Sequence, residues 1–203
     1  MYSPILPIKR LIYLVCSLVT SFSFQFCESQ LEECFFLEND KISRSYHLDS
    51  FNEIVSHLPG EYTIKQANHH RIEVYGHKRY IDSLSTRVFN NKVYLDNKSP
   101  FCQEHTNFGI TIYMNDLKHL FVDEKSSIII EDFEEQTDLS ISLTKKSFLE
   151  IKRFNGLRNL FAELSREAII SSTSELDTLN QIDITIAGHG HFRGYPIPAK
   201  NVT

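Results

Sequence analysis

HLFVDEKSSIIIEDF, residues 119–133, is answered 21 residues later by SISLTKKSFLEIKRF, residues 140–154. Apolar residues hold the same places in both stretches and keep them twice more. Val122, Leu143, Leu164 and Ile186 form one row, Leu120, Ile141, Ala162 and Ile184 a second, and Ile128, Leu149, Ile170 and Phe192 a third. The steps are 21, 21 and 22 residues. Phe133 and Phe154 keep step, and Leu176 and Ile197 continue that row after one-residue slips. Self-similarity at a fixed period of this length marks a solenoid, in which each repeat buries its apolar side only against its neighbours.

Within each repeat the pattern is that of strands. The triplets LFV (120–122), ISL (141–143), AEL (162–164) and ITI (184–186) are centred on Phe121, Ser142, Glu163 and Thr185. Three of those four are polar, as a strand with one wetted face requires. A five-residue turn follows (DEKSS, TKKSF, SREAI, AGHGH), and a second strand opens at Ile128, Leu149, Ile170 and Phe192. A third short strand near Phe133, Phe154, Leu176 and Ile197 closes the loop. The pattern predicts an all-β fold, a parallel β-helix of about four 21-residue coils over residues 117–203. Each well-buried Leu, Ile or Phe contributes roughly 1.5–3 kcal/mol, so stacked coils support a core together that none supports alone. One stretch carries a competing signal. LRNLFAELSREA (157–168) has Leu157, Leu160, Phe161, Leu164 and Ala168 at helical spacing and is rich in helix formers. The register preserved on both sides favours strand.

Residues 45–116 have strand periodicity without the 21-residue register. Candidate strands are Phe51–Ser56, Tyr62–Gln66, Arg71–Tyr75, Thr86–Phe89, Lys92–Asp96 and Gly109–Tyr113. Leu58-Pro59-Gly60 is a turn signal, and Asn90-Asn91 suits a two-residue hairpin loop because Asn tolerates positive φ. This part reads as an N-terminal antiparallel β lead-in that caps the solenoid. Residues 30–44, with LEECFF and the charged run ENDK, read as a tail or linker.

A chain of 203 residues suits one domain with a substantial core. Its net charge of -5, with basic residues scattered, leaves a nucleic-acid partner without electrostatic support. Lys9 and Arg10 precede a mostly apolar stretch, Leu11 to Phe26, too short and too rich in Ser, Thr and Gln for a membrane span. Residues 1–29 therefore read as a signal peptide, with cleavage after Ser23 or Ser29. That places the mature chain in the periplasm, at the outer surface or outside the cell, with no transmembrane span of its own. Cys16 follows Val15 and Cys27 follows Phe26, which argues against a lipid anchor because acylation wants a small residue there. Cys34 and Cys102 suit a disulfide in an oxidising compartment, and two unpaired thiols suit the sequence equally well. There is no C-x-x-C, the spacing a structural zinc site usually requires.

The string IDITIAGHGHFRGYPIPAKNVT resembles the repeat of the auto-transporter adhesin, head-GIN domain family, whose coils carry a strand, Gly-Ser-Gly, strand pattern. LDSFNEIVSHLPGEYTIKQ is similar to that family's opening strand pair, and YIDSLSTRVFNNKVYL to its next segment, a short helical turn before a strand pair. The likeness covers residues 45–203. It implies a single-stranded, right-handed β-helix in a protein exported by Bacteroidetes-type bacteria. The biochemical role of that family is essentially unassigned. Two departures stand out. Only the last coil keeps the glycine turn, Gly188-His189-Gly190, so a role tied to a glycine-rich face is in doubt. Ala199 to Thr203 resembles the start of a further coil where family members continue, implying a naturally short or truncated chain. The final coil would then be an edge open to self-association, blunted by Pro196 and Pro198.

Candidate chemistry is sparse. His189-x-His191 lies in a turn with no third ligand near in sequence and reads as solvated histidines, while His69-His70 would point to opposite faces of a strand. Asp123-Glu124 and Glu131-Asp132 with Glu134-Glu135 resemble the calcium clusters of pectin-type lyases, yet Lys145-Lys146 one coil on would neutralise them, giving a screened charge ladder. Nucleophile-elbow, H-E-x-x-H, P-loop and dinucleotide motifs are missing, and GHGHFRG has the wrong spacing. No catalytic, cofactor-binding or metal residue is assigned. Phe121 breaks the outward-polar rule, and Tyr75, Tyr80, Tyr94 and Tyr113 offer amphipathic rings suited to sugar or protein. The contact surface is placed at Phe121, Tyr94 and Tyr113. The expectation is an exported, non-enzymatic, adhesin-like β-helix domain binding a glycan or an envelope protein, or serving a structural role. The alternative is a carbohydrate-active β-helix enzyme of the polysaccharide lyase or hydrolase kind, with paired carboxylates as acid and base.

Overall fold

Alternation at period two governs nearly the whole chain, and strands follow it. The structure is a computed structural model describing residues 40–98, 108–172 and 181–193, all within one unit, Asn39–Thr203. The strands are β1 (Lys41–His47), β2 (Glu53–Ser56), β3 (Gly60–Gln66) and β4 (Arg71–His77). After a short helix, α1 (Lys78–Ser83), come β5 (Leu84–Phe89), β6 (Lys92–Asn97) and β7 (Gly109–Met114). The repeats add β8 (His119–Val122), β9 (Ser126–Glu131), β10 (Asp138–Leu143) and β11 (Phe148–Ile151). The last four are β12 (Asn159–Arg166), β13 (Ile169–Ser172), β14 (Gln181–Gly188) and β15 (His191–Arg193). The fold is all-β with almost no helix, in two mixed sheets that do not close. The eight-stranded sheet runs β1-β4-β7-β3-β9-β11-β13-β15, and the seven-stranded sheet runs β14-β12-β10-β8-β2-β6-β5.

From β8 to β15 successive strands alternate between the two sheets, each parallel to the strand one repeat away. The rows read from the sequence are ladders in the structure. Val122 pairs with Leu143, Leu143 with Leu164 and Leu164 with Ile186; Ile128, Leu149, Ile170 and Phe192 do the same in the other sheet. Residues 159–166 form β12, so register prevails over the helical pattern there. Packing decides it, because Leu160, Ala162 and Leu164 are all buried in the ladder. Phe133 and Phe154 stack at 5.3 Å between ring centroids, but their backbones meet in an isolated bridge rather than a third strand. Leu176 and Ile197 lie outside the described residues.

The lead-in differs from expectation. Antiparallel pairing is confined to β1–β4, β4–β7 and β5–β6; β2 and β3 pair only parallel, and β6 and β7 join the parallel ladders by their other edge. Ile54 pairs with Leu120 and with Val93, and Tyr62 with Ile128 and with Ile110. The first strand pair thus sits inside the stack, between β6–β7 and β8–β9, rather than at its end. β4, α1 and β5 separate β3 from β6, and this excursion breaks the 21-residue step. β1 opens at Lys41, inside the stretch read as tail.

Turn chemistry holds where it was read. Asn90 and Asn91 have φ of 50° and 61°, the left-handed pair a two-residue hairpin loop demands, and they join β5 to β6. Gly60 opens β3 at φ +148°, and a Cβ there would lie 2.5 Å from the Phe108 carbonyl oxygen, so no side chain fits. The inward rows of both sheets form the core. Its deepest polar contact is at the β2–β3 turn, where the Tyr62 hydroxyl lies 2.6 Å from Ser56 Oγ and donates to Leu58 O at 2.7 Å. Burial pushes the Tyr62 phenol well above its ordinary pKa, only partly offset by the Ser56 hydrogen bond.

Candidate functional site

Parallel pairing turns the outward positions of the seven-stranded sheet into two rows. Across β6, β2, β8, β10, β12 and β14, one row reads Lys92, Glu53, His119, Ser140, Phe161, Asp183. The other reads Tyr94, Val55, Phe121, Ser142, Glu163, Thr185. Phe121 on β8 and Phe161 on β12 therefore flank the Ser140 and Ser142 hydroxyls of β10, two strand spacings or roughly 10 Å apart across the sheet. Phe161 is 39% exposed. Phe121 is half-buried, edge-on to the His57 ring at 5.9 Å.

Beside this face lies an open polar cleft of about 620 Å³. His119, Asp138, Ser140 and Phe161 enter it from the sheet, Asp116 and Lys118 from the β7–β8 loop, and Glu134 to Thr137 from the β9–β10 loop. Two glutamines tie these loops together. Gln136 is buried; its Oε1 accepts from Leu117 N at 3.0 Å, and its amide donates to Leu117 O and Asp138 O. The Gln66 amide donates to Asn115 O at 3.1 Å and Glu134 O at 3.2 Å, while its Oε1 accepts from Glu134 N at 3.0 Å. Asp138 accepts from Asn159 Nδ2 at 2.5 Å and Thr137 Oγ1 at 2.7 Å, and these bonds hold its carboxyl below the usual carboxylate range. Four carboxylates (Asp116, Glu134, Glu135 and Asp138) face one ammonium, Lys118, which lies 3.7 Å from Asp116. Among the described residues no group of three His, Cys, Asp or Glu is placed to hold a metal.

The three aromatics expected to form the contact surface separate. Phe121 and Tyr94 share an outward row with Val55 between them, and the Arg87 guanidinium lies 5.0 Å over the Tyr94 ring. Tyr113 belongs to the other sheet, with Arg71 4.5 Å over its ring, His69 stacked at 5.7 Å and its hydroxyl donating to Glu73 at 3.2 Å. Tyr75 is exposed, but Tyr80, read as an offered ring, is 3% exposed, because it is on the buried side of α1. His70 packs edge-on to Phe51, and His189 and His191 are exposed. Cys16, Cys27, Cys34 and Cys102 lie outside the described residues. Phe161 was hidden from sequence reading by the overlapping helical pattern. Its signal is register alone, since it takes the outward place filled elsewhere by His119, Ser140 and Asp183.

The acidic turns resolve largely into ion pairs. Glu124 meets Lys145 one repeat on, as the ladder predicts, whereas Asp123 turns to His57 at 2.8 Å and Lys146 to Glu167 at 2.9 Å. Glu131 sits between Lys65 and Lys152, each 3.2 Å away, and Asp132 meets Arg153. Burial nudges the Glu131 pKa up, but the two lysines outweigh it and leave it lowered.

Residues 50–203 match a family model described as putative auto-transporter adhesin, head GIN domain. No curated protein matches the chain. Among solved structures, a putative lipid binding protein from Parabacteroides distasonis ATCC 8503 is similar at TM-score 0.62 and 14% identity, over 82% of this chain and 78% of that one. A putative adhesin from Bacteroides fragilis NCTC 9343 is similar at TM-score 0.55 and 16% identity, over 78% and 98%. Another from Parabacteroides distasonis ATCC 8503 reaches 0.50 at 10% identity, over 77% and 82%. At such identities the likeness shows a shared fold.

Proposed function

The chain belongs to the putative auto-transporter adhesin, head GIN domain family, and from that premise we propose that it is an exported, non-enzymatic, adhesin-like domain. It binds a glycan at the bacterial cell envelope through the outer face of its seven-stranded sheet. In this reading residues 1–29 are the export signal and the parallel strand pairs are coils of a single-stranded, right-handed β-helix. Among the described residues no helix is long and apolar enough to cross a membrane.

The observation that carries the reading is Phe161: a phenyl ring 39% exposed on the parallel part of the sheet, at the wall of a polar cleft. An aromatic face stacks on the apolar face of a sugar ring, and hydroxyls and carboxylates beside it accept and donate to sugar hydroxyls. Ser140, His119 and Asp138 are in place for that. The Parabacteroides distasonis lipid binding protein shares the fold, but an acyl chain calls for an enclosed apolar cavity, and this cleft is open and charged.

The test incubates the purified protein with a panel of polysaccharides and with phosphatidylethanolamine vesicles, scoring retention and new reducing or unsaturated ends together. Retention of a glycan without cleavage, lost in Phe161→Ser, is the expected result. Cleavage would overturn the non-enzymatic reading, and retention of vesicles alone would replace the glycan with a lipid.

A further inference from the structure

Phe161 has three carboxylates in its neighbourhood. Glu163 lies two residues along β12 on the same outward side, Asp183 is its neighbour in the row on β14, and Asp138 stands in the cleft. Among the described residues neither Glu163 nor Asp183 forms an ion pair, and the hydrogen-bond partners of Asp138 are the neutral Asn159 and Thr137. Lys118 and Arg158 act on Asp138 through space without pairing with it. The acidic turn residues described above are mostly matched by bases; these three are not.

We infer that this site takes a glycan bearing free amino groups, an inference that rests on the glycan reading above. Two independent features select it. The exposed Phe161 face accommodates a sugar ring, and an ammonium over or beside a phenyl face is attracted by its quadrupole. The surrounding carboxylates add attraction for a cation and repel uronate, sulfate and phosphate groups. An acetylated amine keeps the stacking and loses the charge, so it isolates the second feature from the first.

The experiment measures calorimetric affinities of the purified protein for three probes: a glucosamine hexamer, its fully N-acetylated counterpart, and an oligogalacturonate of the same length. At low salt the free-amine hexamer binds about tenfold or more tightly than the acetylated one, and the gap narrows as ionic strength screens exposed charges. Glu163→Gln with Asp183→Asn narrows the same gap without changing the melting temperature, while Phe161→Ser weakens both hexamers. Equal affinities, or preference for the galacturonate, would overturn the inference while leaving a glycan-binding face in place. Binding of a lysine peptide as tight as that of the glucosamine hexamer would overturn it in favour of a protein partner. Failure of every glycan to bind removes the reading it rests on as well.

Discussion

Lys145, Arg166 and Gly188 occupy one place in three successive turns and share a left-handed backbone, at φ 57°, 61° and 92°. A residue with a Cβ pays roughly 1–2 kcal/mol for that conformation, and glycine does not. Glycine also loses more freedom on folding, which returns part of the difference. Arg166→Gly is therefore expected to stabilise the protein by up to about 1 kcal/mol, seen as a raised melting temperature; a fall would mean that Arg166 makes a contact worth more than the strain. Tyr62 tests the opposite kind of site. Its hydroxyl is buried and bonded to Ser56 and Leu58, so Tyr62→Phe leaves buried partners short of a hydrogen bond. The expected loss is about 1–3 kcal/mol in denaturant unfolding.

At the scale of the strand, worth depends on place in the ladder. Leu143 lies between Val122 and Leu164 and is fully buried. Leu143→Ala removes those contacts and leaves a cavity, at an expected cost of about 2–5 kcal/mol. Ile186 holds the same row position on β14, the last strand of its sheet, yet is 46% exposed. Ile186→Ala should cost well under the Leu143 loss, about 1 kcal/mol, since nearly half of its surface never leaves water. Equal losses from the two in matched urea titrations would contradict this reading of the ladder's end.

Over the whole molecule, charge sets the response to acid. Asp82 is lowered by hydrogen bonds from Lys78 and Arg44, Asp138 by those from Asn159 and Thr137, and Glu131 by Lys65 and Lys152 against its burial. Each favours the folded state fully above the ordinary carboxylate pKa of about 4 and loses that contribution as pH falls through its lowered folded value. Asp82 and Asp138 are exposed and Glu131 is partly exposed, so each contribution is small. The urea midpoint should hold from pH 7 to about 5 and decline below about 4; a midpoint that rises on acidification would contradict the assignment.

The 21-residue rows by themselves determined the parallel ladders of β8 to β15, down to which residues pair, because successive repeats are of nearly constant length. The Asn90-Asn91 hairpin was equally legible, since its signal is local. Position in the stack was not. β2 and β3 pair with strands lying 66 residues further along the chain, and an excursion through β4, α1 and β5 removes any fixed period linking β3 to β6 and β7. Of the site, Phe121 could be read as an outward aromatic, but Phe161 was masked by helical spacing that only packing overrules. The cleft depends on Gln66 and Gln136 joining loops up to 68 residues apart. Periodicity encodes which side of a strand faces the core; which strand lies beside which, and what their loops enclose, is decided by hydrogen bonds between distant segments, and these leave no repeat in the sequence.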